Sequence, residues 1–490
     1  MALRKRSRAC YGKKTDAWRE QELEPLVTKF LLQPITPQTT LQFEQALQEA
    51  ARELGRRVLE WTLNVIEPEA AEDQPHDVKI AGGGYRRLRD KTPNRDVATT
   101  FGRVTLWRRG YRSWSRDDGE SLVFPLERQL GLLEKTTPAL AGRIARRMAE
   151  AGATQGTVID WVRQEHDVAR GVERLRRLCE HVSNGLEEQR ESFQVEPLLA
   201  WLAQAEASSG RNRPVLAVGR DGVTFHVQGV YEVGSTATIS VYDRQGRRLG
   251  TVYLAQPSES HQTSLSGQLT NLIRATLLRW NGPLPRLCYV TDAGDAESQY
   301  YRRVLRWMRD PHRPWRRLEW IRVVDYFHVS ERITTMAEAL RFASPRDAYA
   351  WMVRMRKLLK KRGGAGRVLH SAAAMKSRLG LHKSRQAEFH RACNYLRNQR
   401  RFVNYAEYKR LGLPIGSGVT EAACKTVFTQ RLKLSGMQWK RGGAKVILRL
   451  RVVLLSGIWD QAYEAFVASN TSCHIEVYDE KPRSATRIAA

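Results

Sequence analysis

Three short apolar runs in the second half of the chain each lead to an aspartate. The runs and their aspartates are 215–219 with Asp221, 287–290 with Asp292, and 321–324 with Asp325. Short apolar runs that end in charged turns are typical of buried strands. We therefore expect these residues to form the centre of a sheet, with a carboxylate at the end of each strand.

Two further segments complete the predicted sheet. Residues 237–242 and 248–254 are joined by the turn 243–246, a pattern typical of an antiparallel meander. Helical patterns follow, one over 265–280 and another before residue 321. The order β-β-β-α-β-α-β predicts a mixed sheet, and therefore an α+β fold in a chain of several domains.

A further acidic residue, Glu421, follows a glycine-rich turn. Pro414 disfavours helix before it, and Gly416-Ser417-Gly418 permits a tight turn from which a helix begins, with Ser417 or Thr420 as its cap. A carboxylate in a surface suited to polyanions repels phosphate unless it holds a metal. Residues 425–451 contain no acid, and their cations are Lys425, Arg431, Lys433, Lys440, Arg441, Lys445, Arg449 and Arg451.

We expect Asp221, Asp292 and Glu421 to form a catalytic metal site. Three carboxylates can hold two Mg²⁺ or Mn²⁺ ions, and two ions about 4 Å apart activate an attacking oxygen and stabilise the leaving one at phosphorus. Asp295 is a rival for Asp292, and Asp325 is a rival for the third carboxylate. His328 either packs in the core or lies beside DNA or a catalytic carboxylate.

The charge of the chain points to an anionic partner. Lysine and arginine outnumber aspartate and glutamate by 81 to 52, which gives a formal net charge of +29 in 490 residues. Such an excess is typical of nucleic-acid binders, and double-stranded DNA is the expected partner. No apolar run approaches the ~20 residues of a membrane span, so no membrane partner is expected.

The cysteines and the amino terminus predict a protein of the cytoplasm, associated with the nucleoid. The six cysteines lie far apart and include no Cys-x-x-Cys pair, which favours reduced thiols over a zinc site. The basic residues of 1–14 are not followed by an apolar core region, so they are not a secretory signal. They are instead typical of a flexible basic arm.

Most of the amino-terminal 200 residues have helical patterns. Apolar residues recur at steps of three and four from Phe43 to Val65, which predicts a long amphipathic helix that either joins protomers of a homo-oligomer or belongs to an ordinary bundle. Residues 66–76 are acidic and contain two prolines, which predicts a linker. Residues 99–112 alternate apolar and basic positions, so we expect strands whose basic face lies on DNA or in solvent.

Two short helices are predicted over 140–151 and 154–165. They form either a helix-turn-helix or a common helical hairpin. In the first case, Gln155, Thr157, Arg163 and Gln164 reach the DNA.

A helical and basic insertion separates the last predicted strand from Glu421. Its expected DNA contacts are Arg354, Arg356, Lys360 and Lys361, in addition to Lys425, Arg431, Lys433, Lys440 and Arg441. The predicted segments are 1–66 (basic arm and amphipathic helix), 77–127 (small β element), 128–205 (helical, DNA-binding), 214–332 (first part of the catalytic core), 333–412 (helical insertion), 413–468 (second part of the core, with Glu421) and 469–490 (disordered tail).

The segment 214–459 resembles the RNase H-like catalytic domain of DDE insertion-sequence transposases, in particular the ISKra-type group and its Mutator-like relatives. The matching motifs are Gly219-Arg220-Asp221-Gly222, Thr291-Asp292-Ala293-Gly294, Asp325-Tyr326-Phe327-His328, Gly-Ser-Gly-Val-Thr-Glu-Ala-Ala-Cys-Lys at 416–425, Arg431, and Ser-Gly-Met-Gln-Trp at 435–439. The resemblance implies Asp221, Asp292 and Glu421 as the triad, 333–412 as the family's insertion domain, and Asp325 with His328 as an element close to the site.

The resemblance also implies a function. The chain is expected to be a transposase that cuts the ends of its element with water and joins the freed 3′-hydroxyls to target DNA in the same site. The alternatives are an RNase H-like nuclease or junction resolvase, which shares the triad, and a domesticated DNA-binding protein without catalysis. The last alternative gives the acids in a basic surface no role.

Overall fold

The computed structural model describes residues 18–80, 83–114, 121–470 and 475–477. The chain divides into two compact units, the first made of 1–148, 154–182 and 464–490, and the second of 149–153 and 183–463. The long helix Val172–Ala207 begins in the first unit and ends in the second. The predicted basic arm and most of the predicted disordered tail lie outside the described residues.

An antiparallel sheet forms the centre of the first unit. Its strands are β1 (Asp77–Ile80), β2 (Gly83–Thr99), β3 (Gly102–Ser113), β4 (Leu122–Val123) and, beside β1, the carboxyl-terminal strand Ile475–Val477. The predicted disorder of the tail is therefore wrong at 475–477. This strand pairs antiparallel with β1 and occupies an edge that would otherwise leave backbone groups of β1 unpaired.

The long helix Pro37–Ile66 packs on this sheet, which confirms the predicted amphipathic helix. Thr36 and Thr39 form a capping box at its start. Near its end, Leu63 is buried in a cluster with Leu59 and with residues of β2 and β3. The earlier part of the apolar stripe, from Phe43 to Val58, stays half-exposed.

The predicted linker 66–76 packs against the same sheet. Glu67 is buried, and its carboxylate accepts hydrogen bonds from the Arg109 backbone N–H and from Gln74, both at 2.9 Å. The guanidinium of Arg109 donates to the carbonyls of Glu69 and Ala70, so it does not belong to a solvent-exposed basic face. These contacts explain why 66–76 does not separate two compact units.

The two predicted helices of 140–165 are present as Pro138–Ala149 and Gln155–His166. Thr154 and Thr157 form a capping box that starts the second helix. Of the residues expected to reach DNA, Thr157, Arg163 and Gln164 are exposed, and Gln155 accepts a hydrogen bond from Arg176 at 3.2 Å. The first unit also contains the π-helix Arg19–Leu23 and the helices Glu24–Leu31 and Pro125–Gln129.

The second unit contains a mixed five-stranded sheet in the order β11-β8-β5-β6-β7. The meander β5 (Val215–Val227), β6 (Val230–Tyr242) and β7 (Arg248–Gln256) is antiparallel. After the helix Thr263–Arg279, β8 (Arg286–Thr291) runs parallel to β5, and β11 (Trp320–Val324) runs parallel to β8. The helix Asp295–Arg303 and a hairpin, β9 (Arg309–Asp310) and β10 (Arg313–Arg317), lie between β8 and β11 in the chain. The fold is therefore mixed α+β.

Both faces of this sheet are covered, which explains the continuous apolar runs in its central strands. Val215 and Ala217 face one core, and the alternate residues Leu216 and Val218 face the other. The helix Thr263–Arg279 and the end of Val172–Ala207 cover the second face. The first face packs against the helices of the insertion.

The insertion is helical throughout its described length, apart from short connections. Trp351 and Phe389 are buried in its core, which is continuous with the sheet. Its helices are Tyr326–Ala339, Pro345–Leu359, Gly364–Leu379, Gln386–Asn398 and Tyr405–Arg410. The chain then forms Gly418–Ala423, the π-helix Cys424–Thr429, Gln430–Leu432, Arg441–Leu455 and Trp459–Asn470. Within the described ranges, every helix is too short or too polar to cross a membrane.

Candidate active site

Asp221 lies inside β5 rather than at its end, which corrects the sequence-based prediction. The strand continues to Val227 because β6 pairs with it along its whole length. The neighbour on the other side, β8, pairs with β5 only as far as Gly219. Asp221 therefore lies two residues beyond Gly219, the last residue of β5 that pairs with β8. At Asp221, β5 has no neighbour on the side where β8 ends.

Asp292 directly follows β8, as predicted. Its Oδ1 accepts a hydrogen bond from the Gly294 N–H at 2.9 Å, and the hydroxyl of Tyr395, from the insertion, donates to its carbonyl at 2.8 Å. Between them, Ala293 has φ of 70°, a left-handed conformation that is uncommon for a residue with a Cβ atom. Such backbone is frequent at functional sites. Asp295 is exposed at the start of the next helix.

Glu421 lies on the short helix Gly418–Ala423, which we call the Glu421 helix. This helix approaches β5 closely because Gly219 has no side chain: a Cβ atom there would lie 1.9 Å from the hydroxyl of Thr420. The same hydroxyl lies 2.9 Å from that of Thr238 on β6. Thr420 thus fixes the helix on the sheet, and the next residue, Glu421, lies beside Asp221.

Ser417 orients Glu421 instead of capping the helix with its side chain. It occupies the N-cap position, but its hydroxyl donates to Glu421 Oε1 at 2.7 Å and makes no cap hydrogen bond to the backbone. His328 Nε2 lies 3.9 Å from the same oxygen, and His328 Nδ1 lies 3.2 Å from Glu331. His328 is partly buried and lies beside Glu421, the carboxylate that we expected to be catalytic.

Asp325 is a structural residue of the site. Its carboxylate is fully buried and accepts three backbone N–H groups: Oδ1 from Phe327 at 2.5 Å and from His328 at 2.9 Å, and Oδ2 from Ser417. Asp325, His328 and Glu421 offer ligand atoms within 4.8 Å of one another, a spacing that suits a metal ion. Because backbone donors already bind both oxygens of Asp325, this carboxylate joins the turn before Glu421 to the helix of His328.

Cys424 contacts Asp221 and was not singled out from the sequence as a site residue. Its thiol donates to Asp221 Oδ2 at 3.3 Å, and Asp221 Oδ1 accepts the Gly222 N–H at 2.7 Å. Burial raises the pKa of Cys424, and the neighbouring Asp221 raises it further, so the thiol stays protonated. Cys424 is three residues after Glu421. In a helix this spacing places two side chains on the same face, and it is the signal in the sequence that indicates Cys424 as a site residue.

A buried acid, Glu297, is the second residue that the sequence analysis missed. It is only 7% exposed, and a Cβ atom built on Gly294 would meet both its Oε2 and Asp292 Oδ1, at 2.4 and 3.3 Å. Burial raises the pKa of Glu297, and the charges of Asp292 and Asp221 act in the same direction. Nothing in its local sequence distinguishes it from an acid that is favoured in the first turn of a helix.

Among the described residues, no lysine or arginine forms an ion pair with Asp221, Asp292 or Glu421. Burial is the main cause that raises the pKa of Asp221, and the charges of Asp292 and Glu421 raise it further. In the described part of the chain, neither Asp221 nor Asp292 forms an ion pair, and Glu421 has only His328. The buried Arg220 points away, toward Gln262 and the ring of Tyr300.

The carboxylates therefore suit divalent cations, because carboxylate oxygens are the ligands that Mg²⁺ prefers. Asp221 interacts with both other acids, yet Asp221, Asp292 and Glu421 do not gather their oxygens within 4.8 Å. The three acids are therefore not spaced for a single ion that all of them hold.

The predicted DNA contacts differ in exposure. Arg431 is buried, 1% exposed, and its guanidinium stacks over Trp439, so its prediction as a surface contact is wrong. Arg441 pairs with Glu232, Arg356 donates to Thr334 at 2.8 Å, and Lys360 lies over the ring of Tyr326. Arg441 is exposed, and the exposed cations that form no ion pair among the described residues are Arg354, Lys361, Lys425, Lys433 and Lys440.

Comparison with known proteins adds no further assignment. No protein-family model matches the chain, and a search of curated proteins finds no significant match.

Proposed function

We propose that the chain is a DDE-type DNA transposase that uses Asp221, Asp292 and Glu421 as its catalytic carboxylates. The observation that carries the proposal is a group of three acids, distant in sequence: the charges of Asp292 and Glu421 act on Asp221, and among the described residues their only ion-pair partner is His328, beside Glu421. A fold tolerates such repulsion when a ligand of opposite charge relieves it. In a chain of net charge +29, a function limited to binding DNA provides no reason to retain this repulsion between acids.

The fold supports this proposal. An antiparallel meander followed by two parallel strands matches the predicted chain order β-β-β-α-β-α-β of a mixed sheet. Asp221 lies on β5, Asp292 directly follows the adjacent strand β8, and the Glu421 helix packs against β5 at Gly219. The helical insertion lies in the chain between β11 and this helix.

The surrounding residues hold the carboxylates in place. Cys424 and the Gly222 N–H bind the two oxygens of Asp221, Gly294 binds Asp292, and Ser417 binds Glu421. Two Mg²⁺ or Mn²⁺ ions, when bound by these acids, supply an activated oxygen nucleophile and stabilise the leaving oxygen. Asp325 connects the turn of Ser417 to the helix of His328, so it positions Glu421 without reaching the substrate.

Double-stranded DNA from the element ends and from the target is the proposed substrate. Arg354, Lys361, Lys425, Lys433 and Lys440 are exposed and suit phosphate contacts.

We also propose a homo-oligomer, because the stripe from Phe43 to Val58 stays half-exposed in its own unit. Light scattering of Leu47→Asp with Leu54→Asp tests this. A variant that stays folded and keeps the wild-type mass would assign the stripe to the protomer itself.

A cleavage and strand-transfer assay tests the proposed activity. The substrate is a duplex that contains the terminal repeat flanking the coding region, with Mg²⁺ and a plasmid as target. We expect wild-type cleavage followed by joining of 3′ ends to the plasmid, and at least about a hundredfold slower cleavage by Asp292→Asn with DNA binding retained. Cleavage without joining would indicate the nuclease or resolvase alternative. Binding without metal-dependent cleavage would indicate a non-catalytic protein.

A further inference from the structure

A short hairpin of the second unit is rich in arginine and tryptophan, and the proposed active site does not use it. Residues 302–317, which we call the arginine hairpin, include β9 and β10, and all five residues of β10 are exposed. Asp310 is the only acid in this segment. The arginines are Arg302, Arg303, Arg306, Arg309, Arg313, Arg316 and Arg317.

The described acids of the chain do not pair with the arginines of the arginine hairpin. Asp310 is buried, and its Oδ1 accepts the backbone N–H of His312 at 3.0 Å, so this acid serves the turn of the hairpin. Within the residues that the structure describes, none of the seven arginines forms an ion pair. Uncompensated cations grouped in one segment attract polyanions.

Two tryptophans of the arginine hairpin face solvent. Trp315 is 77% exposed and Trp307 is 50% exposed. The guanidinium of Arg317 lies over the ring of Trp307, 4.0 Å from its centroid. Indole faces that stand among arginines are the combination with which proteins bind unpaired bases, because the ring stacks on the base and the cations contact phosphates.

The arginine hairpin is a fixed platform. Arg309 donates from Nη1 to the carbonyls of Pro314 at 3.1 Å and of Trp315 at 3.3 Å, which joins its two strands. His312 Nε2 lies 2.9 Å from the carbonyl oxygen of Leu277, at the end of the helix Thr263–Arg279. A surface that is already ordered loses less conformational entropy when a ligand binds.

This platform lies away from the catalytic carboxylates. It precedes β11, whereas Asp325 and the site follow that strand. The strand has five residues, and its length of about 16 Å at ~3.3 Å per residue separates the two ends. The arginine hairpin is therefore a second surface of the same unit.

We propose that the arginine hairpin binds single-stranded DNA, with bases stacked on Trp307 and Trp315 and phosphates paired with its exposed arginines. The exposed indoles favour a single strand over a duplex, since the faces of paired bases are covered by their neighbours. The interaction does not require divalent ions, so it goes beyond the catalytic function proposed above and stands independently of it.

Fluorescence anisotropy of labelled oligo(dT), titrated with the full chain in the presence of a chelator, tests this inference. We expect Trp315→Ala and Trp307→Ala each to weaken binding by about tenfold, as the loss of one stacked base predicts. Trp315→Phe, which keeps a ring for stacking, should stay close to the wild type. Trp107→Ala removes a tryptophan of the first unit that is 45% exposed, and it serves as the matched control.

Two results would overturn the inference. One is wild-type affinity for oligo(dT) in a Trp307→Ala, Trp315→Ala double variant whose circular dichroism is unchanged. The other is an equal loss of affinity for oligo(dT) and for a duplex of the same length, which would leave only a non-specific basic surface. Because the assay contains no divalent ion, its outcome is separate from the outcome of the cleavage assay.

Discussion

The thiol of Cys424 donates a hydrogen bond to Asp221 Oδ2 at 3.3 Å, although the two residues are 203 positions apart. The contact links β5 to the π-helix Cys424–Thr429, which directly follows the Glu421 helix. A π-helix shifts the side chains that follow it and is frequent at functional sites. Here it begins at Cys424, whose thiol reaches the carboxylate of Asp221.

Replacing Cys424 should weaken metal binding without unfolding the protein. Cys424→Ala removes one of the two hydrogen bonds that orient Asp221, and loss of such an orienting partner typically costs about tenfold or more in metal affinity. Cys424→Ser keeps a donor and should restore most of the affinity. Calorimetric titration with Mn²⁺ measures both variants. Equal Mn²⁺ affinity in Cys424→Ala and the wild type would show that the thiol only fills space.

Asp221→Asn should stabilise the metal-free protein. The pKa of Asp221 is raised by burial and by the two neighbouring acids, so the folded state binds this proton more tightly than the unfolded state does. The stability that this group contributes is therefore lost as pH rises through the raised pKa. Thermal unfolding in a chelator should show a higher Tm for Asp221→Asn at neutral pH, with a smaller decline between acidic and neutral pH.

Asp243→Asn is the matched control for this effect, and it should change the Tm in the opposite direction. Burial acts against ionisation of Asp243, but hydrogen bonds from Arg247 and Gln245 lower its pKa overall. The stability from Asp243 is present above its unfolded pKa and is lost as pH falls, so its replacement should destabilise the protein by about 1–3 kcal/mol. A lower Tm for both variants would indicate that Asp221 serves the fold rather than a ligand.

Glu297→Gln should raise the Tm of the metal-free protein and weaken Mn²⁺ binding. Its carboxylate adds a fourth negative charge beside Asp292, and the amide removes that charge while keeping the shape. We expect an affinity for Mn²⁺ about tenfold lower in a calorimetric titration. A lower Tm with unchanged Mn²⁺ affinity would instead make Glu297 the counter-ion of the buried Arg220.

Charge reversal of Arg354, Lys361, Lys425 and Lys433 should flatten the salt dependence of duplex binding. Each phosphate contact contributes about 0.9 to the slope of log K against log salt concentration. Arg431→Lys should lower the Tm and leave this slope unchanged, because Arg431 is buried against Trp439. Anisotropy titrations over a range of salt concentrations measure the slopes. An unchanged slope in the fourfold variant would place DNA on another surface.

The sequence predicted the five strands of the mixed sheet in the second unit because each is buried on both faces or alternates clearly, but it did not predict β9 and β10. The error at Asp221 has a physical cause. Where β8 ends, β5 becomes covered on one side only, and its burial changes to an alternation in which Val223, Phe225 and Val227 are buried. The sequence shows this alternation after the apolar run, but the charged Asp221 interrupts the two patterns, so the apolar run alone predicts a strand that ends there.

Tertiary contacts determine three features of the site that the local sequence pattern does not predict. The Ser417 hydroxyl suits a helix cap, yet it binds Glu421 because the backbone N–H of Ser417 is itself held by the buried Asp325. Arg431 resembles its exposed neighbours in the sequence, and only the packing of Trp439 distinguishes it. Glu297 is buried through the fold around Gly294, which no spacing in the sequence indicates.

The number of divalent ions bound per chain tests the central claim most directly. Titration with Mn²⁺, followed by electron paramagnetic resonance, should show two ions on the wild type. Asp292→Asn and Glu421→Gln should each weaken one ion, and Asp221→Asn should weaken both by about tenfold or more, because the charges of both other acids act on Asp221, which we propose that the two ions share. A wild-type protein that binds no Mn²⁺, or an Asp221→Asn variant that binds two ions as tightly as the wild type, would contradict the account.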